Sequence, residues 1–176
     1  MGPPLLEALL AHDYKRAEEI GDFKIPNGLI LSERVLKMRL RQIHASPETR
    51  PWLLRAIVIR ECQTLCGRIG FHSKPGPEDL RNVAADGIEI GYEVDESFRR
   101  QGFAKEAAIR LMRWAYKSHR QRCFILSIVL SNQASLALAS SMGFSDTGLY
   151  IDKGDRGIHF YFERRLDHWP DEWAST

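Results

Sequence analysis

The stretch from Ile88 to Ala104 constrains the fold of this 176-residue chain more than any other part of its sequence. It begins with the apolar pattern of a strand, and the basic turn that follows opens a helix. A helix start presents backbone N–H groups without partners and the positive end of the helix dipole, so it can bind a phosphate or pyrophosphate. Gly102 lets the backbone approach such an anion closely, and Arg99 and Arg100 add positive charge. A solvated turn before a surface helix has the same local pattern, so other features must support the anion site.

The sequence after this turn predicts a β-α-β unit. Apolar residues along Ala104–Tyr116 form one face of a helix, and Cys123–Leu130 is nearly continuous apolar sequence. Such a run is typical of a strand buried on both faces. With the strand that ends at Val94, these elements make a parallel crossover, which we expect to be right-handed. Asn132 or the preceding serine caps a further helix, which Gly143 ends.

The remaining periodicities predict two N-terminal helices and two hairpins. Gly91, inside the third strand, predicts a bulge or a close backbone approach to a ligand. The predicted ranges are the helices Leu5–Ile20 and Ser32–Ile43, the strands Trp52–Arg60 and Leu65–Phe71, the loop His72–Asp86, the strand Ile88–Val94, and the strands Phe144–Tyr150 and Ile158–Phe162 around Lys153-Gly154-Asp155.

Composition predicts one globular domain. With 44% hydrophobic residues the chain can build a sizeable core, and we place the domain at residues 1–166 and a mobile polar tail at 167–176. No apolar run has the length of a membrane span and the first residues lack a signal-peptide pattern, so we expect a cytoplasmic protein without a membrane partner. Three cysteines form neither a disulfide framework nor a zinc-site spacing, so we expect reduced thiols and no metal.

Positive charge is concentrated around the basic turn. The net charge is only +2, but eight Lys or Arg residues and one acid, Glu106, lie between Arg99 and Arg122. Such a local field suits a small polyanion. We expect no nucleic-acid partner, because the chain lacks the interleaved aromatic residues and motifs of nucleic-acid modules. The G-x-G-x-x-G and G-x-x-x-x-G-K-[ST] nucleotide-binding motifs are also absent.

Two motifs and the order of the elements resemble the GNAT superfamily of acetyl-CoA-dependent N-acetyltransferases. Arg99-x-x-Gly102-x-Ala104 matches its Q/R-x-x-G-x-G/A pyrophosphate loop. Asn132-x-x-Ser135 followed by Met142-Gly143-Phe144 looks like its N-x-x-(A/S)…GF element. Together with Glu89-Ile90-Gly91-Tyr92, these motifs look most like the branch of ribosomal-protein serine and alanine N-acetyltransferases. The family usually begins with a strand before its first helix, for which residues 1–4 leave little room.

The resemblance implies an α/β fold of the α+β kind: a mixed, mostly antiparallel central sheet with a bulged strand, a β-α-β acetyl-CoA-binding core and helices on both faces. It implies acetyl-CoA as co-substrate, with its pyrophosphate on backbone N–H groups of Arg100 to Lys105 and its pantetheine arm along Tyr92 and Val94. The cofactor-binding residues implied in this way are Tyr92, Val94, Arg99, Arg100, Gln101, Gly102, Phe103, Ala104, Lys105, Asn132 and Ser135.

Acetyl transfer to an amine needs a base for the ammonium proton and an acid for the departing thiolate. A lysine-like amine has a pKa of roughly 10 and is mostly protonated at neutral pH. Glu89 and Glu93 are the candidate bases, directly or through a water, and His72 is a second possible base. Many members of the family carry a tyrosine as acid where this chain has Ala139, so Ser135 is the candidate substitute.

The predicted function is therefore direct acetyl transfer to a primary amine, either a protein or peptide N-terminus or a small molecule. Because the usual tyrosine is absent, the alternative is a non-catalytic acyl-CoA-binding or sensing module. The first two helices and the loop His72–Asp86 are expected to line the acceptor site. Pairing of two chains is common in the superfamily, so a homodimer is compatible with the resemblance.

Overall fold

The computed structural model describes residues 1–29, 31–154 and 157–174. In these ranges the helices are α1 (Pro3–Leu10), α2 (Tyr14–Gly21), α3 (Glu33–Ala45), α4 (Phe103–His119) and α5 (Gln133–Ser141). The strands are β1 (Arg55–Ile59), β2 (Thr64–Phe71), β3 (Gly87–Val94), β4 (Cys123–Val129), β5 (Ser145–Asp152) and β6 (Ile158–Arg165). None of the described helices is long and apolar enough to cross a membrane. Asp155 of the predicted last turn, and residues 175–176 of the predicted tail, lie outside the described residues.

The chain forms two compact units. Unit 1 comprises Met1–Phe71 and Tyr92–Ala104, and unit 2 comprises His72–Gly91 and Lys105–Thr176. Strand β3 begins in unit 2 and ends in unit 1. The strand order is β1-β2-β3 in unit 1 and β3-β4-β6-β5 in unit 2. A single domain at residues 1–166 stays a prediction.

The helical part of unit 1 differs from the prediction. The single helix predicted over Leu5–Ile20 is wrong, because α1 and α2 are separate helices. His12 adopts a left-handed conformation with φ +56°, and Asp13 caps α2 by accepting a hydrogen bond from the N–H of Arg16 at 3.1 Å. The apolar spacing continues across this break and so conceals it. The two helices, α3 and the first strands pack around a core of Leu5, Leu6, Ala8, Leu9, Ala17, Phe23, Leu36, Ile43, Leu53, Leu54 and Leu65.

The first hairpin of unit 1 is confirmed in topology but begins later than predicted. β1 and β2 are antiparallel, with Ala56 opposite Arg68. β1 begins at Arg55 rather than at Trp52, because Trp52 lies in a turn whose geometry is fixed by its own N–H. That N–H donates to the carbonyl of Thr49 at 2.9 Å.

Unit 2 contains the parallel pair and the second hairpin. The parallel ladder of β3 and β4 places Glu89 opposite Ile125, and β6 pairs antiparallel with both β4 and β5. On one face of these strands, Ile125 and Tyr161 pack against Leu80 and Ala84 from the loop before β3. The predicted fold class is confirmed: over its described residues the chain has a mixed α/β architecture with six mostly antiparallel strands and a β3-α4-β4 core.

The described part of the C-terminal segment, residues 167–174, is packed. Trp173 lies in a single 3₁₀ turn and is only 3% exposed. Its ring centroid is 5.4 Å from that of Trp169, and the guanidinium of Arg164 lies over it at 5.9 Å. The two tryptophans therefore bury apolar surface in this polar segment, and its mobility stays a prediction.

Candidate functional site

The basic turn at the end of β3 is shaped by its own side chains. Asp95 accepts a hydrogen bond from the N–H of Ser97 at 3.1 Å and so caps the single 3₁₀ turn Glu96–Phe98. The Nε of Arg99 donates to the carbonyl of Val94 at 3.1 Å. The backbone N–H of Asp95 also donates to the carbonyl of Cys66 at 2.9 Å, so strand β2 holds the start of the turn.

The turn delivers the chain into the start of α4 through two left-handed residues, Arg100 at φ +62° and Gly102 at φ +86°. A left-handed arginine costs on the order of 1 kcal/mol, and such strain is characteristic of functional turns. An added Cβ at Gly102 would have no atom within 4 Å, so the space beside the helix start is open. The first N–H groups of α4, which begins at Phe103, have no acceptors within the helix. This open and positively charged turn fits a pyrophosphate.

The last residues of β3 already have partners in unit 1. The carboxylate of Glu93, one of the candidate bases, forms an ion pair with the guanidinium of Arg68, whose side chain is only 11% exposed. A proton accepted by Glu93 would remove the charge that balances this arginine. The carbonyl of Val94, expected to pair with a pantetheine arm, accepts the hydrogen bond from Arg99.

Glu89 is a buried carboxylate in the middle of unit 2. It is 4% exposed, and both of its oxygens have polar partners. Oε1 accepts a hydrogen bond from the hydroxyl of Ser127 on β4, and Oε2 lies 3.2 Å from Nδ1 of His72. Lys153, just after β5, donates to the same Ser127 hydroxyl at 2.9 Å and has its Nζ 3.8 Å from Oε1. The structure therefore holds Glu89 between a histidine and a lysine.

These partners determine the charge of Glu89. Burial alone raises the pKa of a carboxyl group, but here it is outweighed by the hydrogen bond and charge of His72, the charge of Lys153 and the hydrogen bond of Ser127. Together they lower the pKa of Glu89 from 4.5 to about 2. Glu89 is therefore an ionised carboxylate at neutral pH and a weak proton acceptor.

His72 is fixed at the other end of this carboxylate. Its backbone N–H donates to the carbonyl of Glu89 at 2.9 Å, and its ring lies against the backbone of Gly91. A Cβ at position 91 would lie only 2.5 Å from Nε2, so a side chain there would displace the ring. The sequence predicts a bulge or a close ligand approach at Gly91, and the close approach in the structure is that of His72. The histidine side chain is 38% exposed, so it is accessible to solvent while Glu89 is not.

Helix α5 begins as the sequence predicts. The side chain of Asn132 accepts a hydrogen bond from the N–H of Ser135 at 3.1 Å, which makes Asn132 the N-cap. Ala139, at the position of the usual tyrosine, is 1% exposed and packs in the interior. In the turn after the helix, Gly143 has a φ of +71°.

Sequence reasoning singled out Glu89 and His72 but missed Ser127 and Lys153. Ser127 is the one polar side chain within the apolar run of β4, and this break in the run is a signal that the sequence contained. Lys153 has no comparable signal, because a lysine in a turn is ordinarily solvated. The structure places both residues beside Glu89.

Comparison with known families decides the identity of this fold. The acetyltransferase (GNAT) domain family matches residues 6–145. The chain belongs to this family. The predicted superfamily is thus confirmed, and this GNAT chain is an acetyltransferase domain. A search of curated proteins found no match to its sequence.

Solved structures with the same fold include several GNAT acetyltransferases. Spermidine N-acetyltransferase from Vibrio cholerae aligns at a TM-score of 0.64 and 9% identity, over 98% of this chain and 96% of that protein. Ribosomal-protein-alanine N-acetyltransferase from Brucella melitensis aligns at 0.60 and 19% identity, over 94% and 97%. The microcin C7 self-immunity acetyltransferase, solved in complex with acetyl-CoA and AMP, aligns at 0.58 and 13% identity, over 94% and 89%. At these identities the likeness shows the fold, and the ribosomal-protein branch stays a prediction.

Proposed function

We propose that this GNAT acetyltransferase transfers the acetyl group of acetyl-CoA directly to a primary amine, with His72 as the general base. The observation that carries the proposal is the contact between Nδ1 of His72 and the buried carboxylate of Glu89, at 3.2 Å. Acetyl-CoA would supply the acetyl group as an activated thioester. The protein must remove a proton from the amine, because an alkyl ammonium ion with a pKa of roughly 10 is no nucleophile.

The assignment of the base follows from the charges around Glu89. Its low pKa makes Glu89 a weak base, and Glu93 is engaged by Arg68. By contrast, a histidine that donates its Nδ1 proton to a carboxylate carries the lone pair on Nε2, and the carboxylate balances the positive charge after protonation. We therefore assign Glu89 to orienting His72 rather than to accepting the proton itself.

The basic turn is proposed to hold the pyrophosphate of acetyl-CoA. Gln101, Phe103, Ala104 and Lys105 would contribute backbone N–H groups beside those of Arg100 and Gly102, and Arg99 adds charge. Support comes from the left-handed turn and the open space beside Gly102. Tyr92 and Val94 remain the proposed contacts of the pantetheine arm, Asn132 a further contact, and Ser135 the proposed proton relay to the thiolate.

The acceptor is proposed to be a small amine or a protein N-terminus. This proposal is supported by two proteins with the same fold, a spermidine N-acetyltransferase and a ribosomal-protein-alanine N-acetyltransferase. A cytoplasmic location and a homodimer remain predictions from the sequence.

Calorimetric titration with acetyl-CoA, followed by thiol release with spermidine and with a library of peptides that have free N-termini, tests the proposed function. We expect binding, and thiol release that depends on an acceptor. Binding without release from any acceptor would favour the acyl-CoA-sensing alternative, and no binding would contradict the assignment of the turn.

A further inference from the structure

We propose that Lys153 is a positioning residue that adjusts the protonation of His72 through Ser127 and Glu89. Lys153 lies outside the elements that carry the GNAT motifs. Its expected effect on activity rests on the proposed function, in which His72 is the base. The coupling itself is a property of the free protein.

Four side chains form a continuous path across one face of unit 2. The ammonium group of Lys153 donates to Ser127 at 2.9 Å, the Ser127 hydroxyl donates to Oε1 of Glu89, and Oε2 of Glu89 lies 3.2 Å from His72. The part of the path between Lys153 and Glu89 is shielded from water, since these side chains are only 15% and 5% exposed, and the path reaches solvent at His72. In such surroundings a charge acts over a longer distance than it does on a solvated surface.

Lys153 and His72 compete for one negative charge. Glu89 can balance one positive charge fully, and the ammonium group of Lys153 already lies 3.8 Å from its Oε1. A proton on His72 therefore adds a second positive charge to a carboxylate that is already shared. The lysine thus favours the neutral form of His72, which is the form that accepts a proton from the amine.

Three other titratable groups lie near this path: His159, Tyr161 and Asp79. On β6, Nδ1 of His159 lies 3.4 Å from the carbonyl of Ser127. Burial raises the pKa of Tyr161, and the charges of Glu89 and Asp79 raise that pKa further. Tyr161 is uncharged at neutral pH, and Asp79 on the loop before β3 is exposed. Among the residues that the structure describes between β5 and β6, Lys153 is therefore the cation that faces Glu89.

Replacing Lys153 by Gln removes the charge but keeps a donor for Ser127. We expect the pH midpoint at which the His72 ring resonances change in ¹⁵N NMR spectra of the free protein to move upward by roughly 0.5–1 pH unit. The acid limb of the kcat/KM profile should move by the same amount. Lys153→Arg, which retains the charge, should leave both near their original positions.

Lys117→Gln is the matched control, because Lys117 is an exposed lysine of α4 and its loss changes the net charge equally. An unchanged His72 midpoint in folded Lys153→Gln, or an equal shift in Lys117→Gln, would overturn the proposal. A merely structural lysine would lower the melting temperature without moving the midpoint. Full activity in His72→Gln would contradict His72 as the base and leave the coupling untouched. The His72 midpoint in Lys153→Gln would still test the coupling between Lys153 and His72.

Discussion

Glu89 contributes to stability through its ionised form. Its pKa is about 2 in the folded chain against 4.5 in the unfolded one, so the unfolded chain takes up the proton first on acidification. The carboxylate's contribution, about 3 kcal/mol, is present above pH 4.5 and is lost as the pH falls towards 2. We predict that Glu89→Gln lowers the free energy of unfolding above pH 4.5, and that the difference in this free energy between the variant and the unmodified protein narrows as the pH falls towards 2. Urea denaturation at a series of pH values measures this difference.

Glu106→Gln is the control for this experiment. Glu106 pairs with Arg110 on the exposed face of α4, at 3.1 Å, where the ion pair stabilises little. If the free energies of unfolding of Glu89→Gln and the unmodified protein differed by the same amount at every pH, the claim that Glu89 is ionised and held by its partners would be contradicted.

Gly102 provides a test of the basic turn. A glutamate there would place a carboxylate where the pyrophosphate is proposed to bind, so we predict that Gly102→Glu abolishes calorimetric binding of acetyl-CoA. Gly148→Glu is a matched control, because Gly148 also has a positive φ, +71°, and also has no atom within 4 Å of an added Cβ. Both variants should lose about 1 kcal/mol of stability from backbone strain. Tight acetyl-CoA binding by folded Gly102→Glu would refute the assignment of the turn.

The residues around Glu89 show why a site is harder to predict than a fold. Gly102 and Arg99 could be assigned from a short motif, since the turn they form is local. Ser127 is 38 residues from Glu89, and Lys153 a further 26 residues from Ser127. The β3–β4, β4–β6 and β5–β6 registers bring them together, and a single sequence does not specify those registers.

At the scale of elements, the strongly periodic segments were predicted and the interruptions were not. The strand, helix and strand of the β-α-β core were visible because their apolar periods differ clearly. The break between α1 and α2 was hidden because one left-handed residue, His12, interrupts the helix without disturbing the apolar spacing. The polar composition of the C-terminal segment predicted no packing there, although Trp169 and Trp173 contact each other and Trp173 is buried.

The packing of Trp173 in the C-terminal segment, residues 167–174, can be tested directly. Trp173 is buried, and its replacement leaves a cavity beside Trp169 and Arg164. We predict that Trp173→Ala lowers the free energy of unfolding by about 3 kcal/mol and exposes residues 167–174 to proteolysis. Glu172→Ala, at an exposed position in the same turn, should change stability by less than about 0.5 kcal/mol. Equal protease resistance of Trp173→Ala and the unmodified chain would contradict the packed segment.

At the scale of the whole molecule, the order of the elements carried more information than any single motif. The two short motifs are weak alone, but their order along the chain predicted the superfamily, and the family match over residues 6–145 confirms it. The acceptor was not predictable, because the surfaces that select it have no motif. Aligned structures with 9–19% identity show a shared fold, and a shared fold does not determine the acceptor.

The central claim is that His72, held by a buried carboxylate, removes the proton from the acceptor amine. The pH dependence of kcat/KM for His72→Gln, with whichever acceptor supports thiol release, tests this claim most directly, and His168→Gln at an exposed position of the C-terminal segment is its matched control. We predict a loss of about 100-fold at pH 7 that diminishes as the pH approaches roughly 10, where the amine is already deprotonated. A loss of the same size at every pH, or no loss at all, would contradict it.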